Sequence, residues 1–244
     1  MSCRHYRFTF LAVAAVVFGL TGIGCSSLPL KKESSLIQKS LPDVVVDELV
    51  SDTQVLSTNA FGLAQAWWVP VEFWKVSLGR INPQLAQQVD SLLGEYSILA
   101  VVQADVSALG GFVFYPRQSL EQRLQVEWQR EQEAPIMLDL VKKPNPAVRN
   151  LLQQLSPMLS RSMGEMGRNL QFFVFADRNA QGNRIVDPYA AGTLLIRLIP
   201  SETQGQTELT LDLPLNALFE PRFCSNGKPA RATWRFCPWD GHPL

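Results

Sequence analysis

Histidine and cysteine are the residues of this sequence best suited to chemistry, and both are scarce. The two histidines are His5, near the start of the chain, and His242, near its end. A Ser-His-Asp or Cys-His catalytic arrangement needs a histidine inside the folded body, and a multi-histidine metal site needs several. Neither arrangement is possible here unless the tail itself supplies the base, and no pair of carboxylates stands out as a substitute. We therefore predict a protein that is not an enzyme and has no cofactor.

Two similar segments near the end of the chain each contain one cysteine. They are Phe223-Cys224-Ser225-Asn226-Gly227 and Phe236-Cys237-Pro238-Trp239-Asp240-Gly241, and both resemble the knuckles of zinc ribbons. A working knuckle has a second cysteine three positions after the first, where this chain has Gly227 and Asp240. Zinc would therefore need Asp240 and His242 to complete a tetrahedral site with the two cysteines. A redox-active pair is another alternative, although its usual spacing is shorter.

A disulfide between Cys224 and Cys237 is the interpretation that we favour. The other two cysteines lie within the first 25 residues, and a leftover pair in an oxidising compartment forms a disulfide most simply. The bridge would close a loop of about 14 residues and contribute ~3 kcal/mol through loop entropy. It would hold a terminal segment that is otherwise prone to fraying.

The first 25 residues have the order of a secretory signal. Basic residues at Arg4 and Arg7 precede an apolar run at residues 8–20, and small residues at 21–24 lead to Cys25. A membrane-spanning helix needs ~20 apolar residues, so cleavage is favoured over permanent insertion. An ordinary secretory signal and an uncleaved anchor are both compatible with this order.

The end of the signal resembles the lipobox of bacterial lipoproteins. Cys25 matches the cysteine that receives lipid, Gly24 and Ile23 match the small and permissive positions before it, and Gly22 stands where the family usually has an aliphatic residue. The resemblance implies a lipid anchor, palmitate among its acyl chains, on Cys25. Ser26 after the cysteine implies sorting to the outer membrane, facing the periplasm.

Three parts of the chain follow from this division. Residues 1–24 form the predicted signal peptide, residues 25–40 the lipidated cysteine and a flexible polar tether, and residues 41–244 a single globular domain.

The sequence contains 22 basic and 22 acidic residues. A neutral surface argues against nucleic acid as a partner and against electrostatic binding to membranes.

The globular part is predicted to be an α+β domain with a largely antiparallel, sandwich-like sheet, two helices and a disulfide-stapled C-terminal tail. Asn82-Pro83 and Asn145-Pro146 are helix starts, because asparagine caps free amides and proline suits the first turn. Pro157 is expected to kink the second helix, and Gly167 to end it. Apolar or alternating stretches predict strands at residues 97–106, 112–115, 120–129, 136–141, 170–176, 193–199 and 208–213. Residues 41–58 fit a helix or a pair of strands equally well.

An aromatic-rich stretch contains Trp67, Trp68 and Trp74. Such residues usually belong to a core, and when exposed they form a docking surface or a platform on which glycans stack. The favoured function is a lipid-anchored envelope protein that acts as a non-enzymatic assembly or interaction module with an envelope protein partner. The alternative is an envelope glycan-binding or hydrolytic protein that uses the aromatic cluster. A zinc-binding tail is a third possibility.

Overall fold

The computed structural model describes residues 36–79, 83–200 and 205–244. The predicted signal, Cys25 and most of the tether lie outside the described residues. Five α-helices occur in the described ranges: α1 Val46–Thr53, α2 Val71–Gly79, α3 Pro83–Leu93, α4 Arg117–Arg123 and α5 Pro146–Asn169. The strands are β1 Gln54–Asn59, β2 Gly62–Val69, β3 Tyr96–Val106, β4 Phe112–Phe114, β5 Leu124–Gln129, β6 Ile136–Met137, β7 Gln171–Ala176, β8 Gly192–Leu198, β9 Thr207–Leu213, β10 Arg222–Phe223 and β11 Pro229–Ala230.

Two antiparallel sheets form the body of the domain. Sheet 1 has the order β1-β2-β3-β4, and β7 also pairs with β3. The two partners share one edge of β3: β7 pairs with its first half, from Tyr96 to Val101, and β4 with its end, from Ala104 to Val106. Sheet 2 has the order β6-β5-β8-β9. Chain segments that are distant in sequence therefore meet at the centre of each sheet.

Sheet 1 is buried on both faces, which explains the nearly continuous apolar sequence of β3. Leu99 and Val101 belong to a core between the two sheets. Ile98, Ala100 and Val102 point the other way, into a second core that includes residues of α2, α3 and α5. A strand with both faces covered loses the alternation of polar and apolar residues that a half-exposed strand shows. The domain thus has three layers, with sheet 1 in the middle.

The predicted fold class is confirmed: helices and antiparallel sheets combine in one domain with a disulfide near its C-terminus. The helices predicted from the two Asn-Pro pairs begin at Pro83 and Pro146, and the side chain of Asn145 accepts a hydrogen bond of 2.9 Å from the Ala147 amide. α5 extends beyond Gly167 to Asn169, and its non-helical dihedral angles occur at Gly164, where φ is 58°. None of the helices within the described ranges is both long and apolar enough to cross a membrane.

Two short helices, α2 and α4, were not predicted, and residues 41–58, left open between a helix and a pair of strands, contain one helix and one strand. Residues 41–58 contain α1 followed directly by β1, and α2 begins immediately after Pro70. The stretch 120–129 was predicted as one strand, but its first four residues form the end of α4 and only Leu124–Gln129 form β5. Leu120 there is fully buried and Arg123 donates a 2.8 Å hydrogen bond to the Ile199 carbonyl, so tertiary contacts decide the local structure.

The tryptophans proposed as docking residues are core residues, so that hypothesis is wrong. Trp67, Trp68 and Trp74 are all buried. The indole N–H groups of Trp67 and Trp68 are bonded internally, to the hydroxyls of Thr53 at 3.1 Å and of Ser97 at 3.2 Å. Because neighbouring residues of β2 point to opposite faces of a doubly covered sheet, both adjacent indoles are enclosed. A glycan cannot stack on this cluster.

Candidate functional site

The two tail cysteines are joined to each other. Cys224 and Cys237 form a disulfide with a Cα–Cα separation of 5.7 Å, as predicted. Neither sulfur is therefore a thiolate, and the tetrahedral zinc site with Asp240 and His242 is ruled out for the oxidised tail. The His242 imidazole lies 3.3 Å from the Asp240 carboxylate instead. Within the described ranges no group of three or more His, Cys, Asp or Glu side chains is placed to hold a metal ion.

Each cysteine is followed by a tight turn that satisfies its own backbone. The amide of Cys224 donates to the Lys228 carbonyl at 2.9 Å, and the amide of Cys237 donates to the His242 carbonyl at 2.8 Å. Gly227 and Gly241 reverse the chain with positive φ angles of 76° and 71°, which favour glycine. The disulfide therefore joins two turns that are each ordered by local hydrogen bonds.

Polar contacts order the segment between the two turns and join it to the rest of the domain. The guanidinium of Arg222 donates to the carbonyls of Arg231 and Trp234, both at 2.8 Å, and burial lowers the pKa of this side chain. Arg235 forms an ion pair of 2.7 Å with Glu131, in the loop after β5. The tail is thus a structured part of the domain.

Exposed aromatic side chains lie next to both bridged cysteines. Phe223 and Phe236 each precede a bridged cysteine and are both 60% exposed, and Trp239 is 48% exposed. Trp239 contacts Trp234 edge to face, with centroids 5.6 Å apart, and the Lys228 ammonium lies 4.7 Å from its ring centre. We call the exposed group of Phe223, Lys228, Phe236 and Trp239 the tail platform.

Asp240 links the two turns that carry the platform. Its carboxylate accepts hydrogen bonds from the Ser225 hydroxyl, on the other turn, and from the His242 amide at 2.9 Å. The Ser225 hydrogen bond is the main reason that the pKa of Asp240 lies below its usual value, followed by the amide of His242. The ionised carboxylate therefore adds a second, non-covalent link between the turns.

A groove of about 310 Å³ lies beside the tail, where the N-terminal segment enters the domain. Leu36 and Lys39 line one side, and Arg222 and Ala230 line another. The Lys39 amide donates to the Leu218 carbonyl at 2.9 Å, which fixes the entering chain at this end. The tail platform and the entry of the tether consequently share one end of the domain.

A buried cluster of charges lies elsewhere, between α2 and the loop after β7. The Arg184 guanidinium lies 2.8 Å from Glu72 and 3.4 Å from Asp177, and Asp177 also accepts a 2.9 Å hydrogen bond from the Ser97 hydroxyl. Burial raises the pKa of Asp177. Burial lowers the pKa of Arg184, but the charges and hydrogen bonds of Glu72 and Asp177 outweigh it, so the pKa of Arg184 is raised overall. Asp177 is fully enclosed. The cluster therefore joins α2 to this loop, and Arg184 is its most exposed charged group, with 18% of its side chain exposed.

Tyr189 reports on this cluster, because burial, followed by the charge of Glu72, raises its pKa to about 12. A free tyrosine ionises near pH 10. Between these values the unfolded chain loses a proton that the folded chain keeps, so the tyrosine's contribution to stability is present below pH 10 and is lost as the pH rises towards 12. In urea titrations, the parent protein should lose stability relative to Tyr189→Phe across this window. Parallel pH profiles for the two proteins would contradict the assignment.

No protein family, curated protein or solved structure matches this chain.

Proposed function

We propose that this protein is a lipid-anchored component of the cell envelope, facing the periplasm from the outer membrane, and that it acts as a non-enzymatic interaction module. The tail platform is the surface that binds its protein partner. One observation carries the proposal: three exposed aromatic side chains stand on turns that a disulfide and local hydrogen bonds hold in place.

The chemistry of the platform is that of a binding hot spot. Aromatic residues are enriched at the centres of protein interfaces, where a few residues supply most of the binding energy. A surface that is already ordered loses little conformational freedom on binding, so more of the contact energy appears as affinity. The lysine beside Trp239 adds a charge that can select an acidic partner surface.

The position of the platform fits a membrane-proximal role. The resemblance of residues 22–25 to a lipobox supports a lipid on Cys25, and about ten residues separate that cysteine from Leu36, a span of at most ~36 Å. Because the chain enters the domain beside the tail, an anchored molecule would keep the platform near the membrane surface. At this position the platform could contact a partner protein that is embedded in, or attached to, the same membrane.

Site-specific photocrosslinking in intact cells tests the proposal. A photoreactive amino acid at Phe236 is expected to yield one dominant protein adduct, whereas the same group at the exposed Thr210 on β9 is expected to yield none. Trp239→Ala should reduce the Phe236 adduct about tenfold or more, because truncation of a hot-spot residue costs about 2 kcal/mol. Equal adducts at the two positions, or an adduct that Trp239→Ala leaves unchanged, would refute the platform as the binding surface.

The anchor is tested on the same material by intact mass. Protein extracted from its own membranes should lack residues 1–24 and should carry acyl mass on Cys25. An unmodified Cys25 would refute the lipid anchor. The crosslinking experiment would still test the tail platform as the binding surface.

A further inference from the structure

Two hairpin turns meet at the end of sheet 1 that lies away from the tail. The turn between β1 and β2 contains Phe61, and the turn between β3 and β4 spans residues 107–111. The Val106 amide donates to the Phe61 carbonyl at 2.8 Å, so the two turns lie side by side. Residues of both turns and of the adjoining strands form one end of the domain.

Large apolar side chains project from this end into solvent. Leu109 is fully exposed and Phe61 is 81% exposed. Three further exposed residues flank them, and we call the whole set the apolar tip: Phe61, Val106, Leu109, Phe112 and Val113. Exposed apolar side chains concentrated in this way usually mark a contact surface.

The apolar tip contains no charge. Residues 53–71 and 106–116 include no Asp, Glu, Lys, Arg or His. Asp105, at the base of the second hairpin, accepts a hydrogen bond from the Tyr115 hydroxyl. Inserting the tip into an apolar environment would therefore not bury an ionised side chain from either turn.

Several backbone groups of both turns form hydrogen bonds within the domain. Asn59 accepts hydrogen bonds from the amides of Phe61 at 2.8 Å and Gly62 at 3.0 Å. In the second turn the Ser107 amide donates to the Gly111 carbonyl and the Gly110 amide donates to the Ser107 carbonyl, both at 3.0 Å. Buried backbone groups without partners are what make loops costly in a lipid environment, and these groups already have partners.

We propose that the apolar tip inserts into the lipid bilayer that holds the Cys25 anchor. A protein interface usually pairs its apolar centre with a polar rim that forms hydrogen bonds. Beside the tip, the side chains of Asn59 and Ser107 already bond within their own turns. A charge-free surface, with several of its turn amides already bonded, matches a hydrocarbon boundary better. The tip also suits a bilayer of neutral lipids, because no basic residue in these two stretches would select an anionic one.

The anchor can bring the tip to the same membrane. The tether enters the domain at a groove that Ser51 and Asp52, just before β1, also line. The tip lies at the other end of β1, whose six residues span about 20 Å at ~3.4 Å per residue. The roughly ten residues between Cys25 and Leu36 reach further than that, at most ~36 Å. A domain lying on its side can therefore hold both the lipid and the tip in one leaflet. This inference rests on the proposed lipidation of Cys25.

Environment-sensitive fluorescence tests the insertion. Leu109→Cys is labelled with a nitrobenzoxadiazole probe in the lipidated protein, whose other cysteines are acylated or disulfide-bonded, and the protein is reconstituted into phosphatidylcholine vesicles. We expect a blue shift, a several-fold rise in emission and quenching by spin-labelled lipids. The same probe at Thr210→Cys should show none of these changes.

A second substitution separates insertion from simple proximity. Phe61→Asp places a charge in the neighbouring turn and should reverse the changes at the Leu109 probe, while thermal unfolding stays unchanged because residue 61 is exposed. Protein that floats with vesicles but keeps a water-like probe spectrum would overturn the tip proposal alone. Failure to float would overturn the anchor and the tip together. A response in native envelope membranes but not in pure lipid would assign the tip to a protein partner and overturn a lipid contact.

Discussion

Arg184→Met is expected to lower the free energy of unfolding by about 3–5 kcal/mol, because it leaves two enclosed carboxylates without their cation. Glu72 is buried and Asp177 is completely enclosed, and Arg184 forms an ion pair with each of them. The measurement is urea denaturation at neutral pH, followed by the fluorescence of the buried tryptophans.

A nearby arginine supplies the control. Arg178 lies in the same loop, is exposed, and donates a hydrogen bond to the Gly182 carbonyl at 3.2 Å. Arg178→Met should therefore change stability by no more than about 0.5 kcal/mol. Adding Glu72→Gln and Asp177→Asn to Arg184→Met should recover part of the loss, since the buried charges are then removed along with their partner. Equal stability of the two single variants would show that the ion pairs contribute little.

The second large effect is expected from Cys224→Ala combined with Cys237→Ala. Loop entropy gives the bridge about 3 kcal/mol, so local opening of the tail should become about a hundredfold more frequent. Amide hydrogen exchange is the suitable measurement, because Gly227 and Cys237 carry tail hydrogen bonds that report on this opening.

Residues far from the tail show whether the effect is local. Amides at the centre of β3 should keep their protection in the double variant, since that strand is covered on both faces by cores that do not contain the bridge. The Phe236 photocrosslink should weaken in parallel with the faster exchange of the tail. Unchanged exchange at Gly227 would mean that Arg222 and Asp240 hold the turns together without the disulfide.

Local signals in the sequence were sufficient for several elements. The Asn-Pro pairs located the starts of α3 and α5, and the apolar run of residues 97–106 located β3, because capping and strand composition act over a few residues. The disulfide was predictable because the expected compartment and the cysteine count left one pair. The fold class followed from these elements.

Features that depend on distant residues could not be predicted. Nothing near Asp177 in the sequence indicates that it faces Arg184 together with Glu72, which comes from a helix about a hundred residues earlier. Trp67 and Trp68 are adjacent, and only the covering of both faces of sheet 1 shows that neither is exposed. The apolar tip was not predictable for the converse reason. Phe61 and Leu109 belong to different turns, which come together only when β2 pairs with β3.

The position of β3 has a consequence for how the chain folds. Its pairing with β2 is local and can form early, but its other partner along the first half of the strand, β7, arrives only after the long helix α5. In sheet 2 the two central strands, β5 and β8, pair with each other although all of α5 and β7 lies between them in the sequence. Topologies dominated by such distant pairings have a high contact order and fold slowly. If the chain is translocated as proposed, its apolar strand edges would stay unpaired until its last third has emerged. During that interval the chain would need protection from aggregation more than the folded domain does.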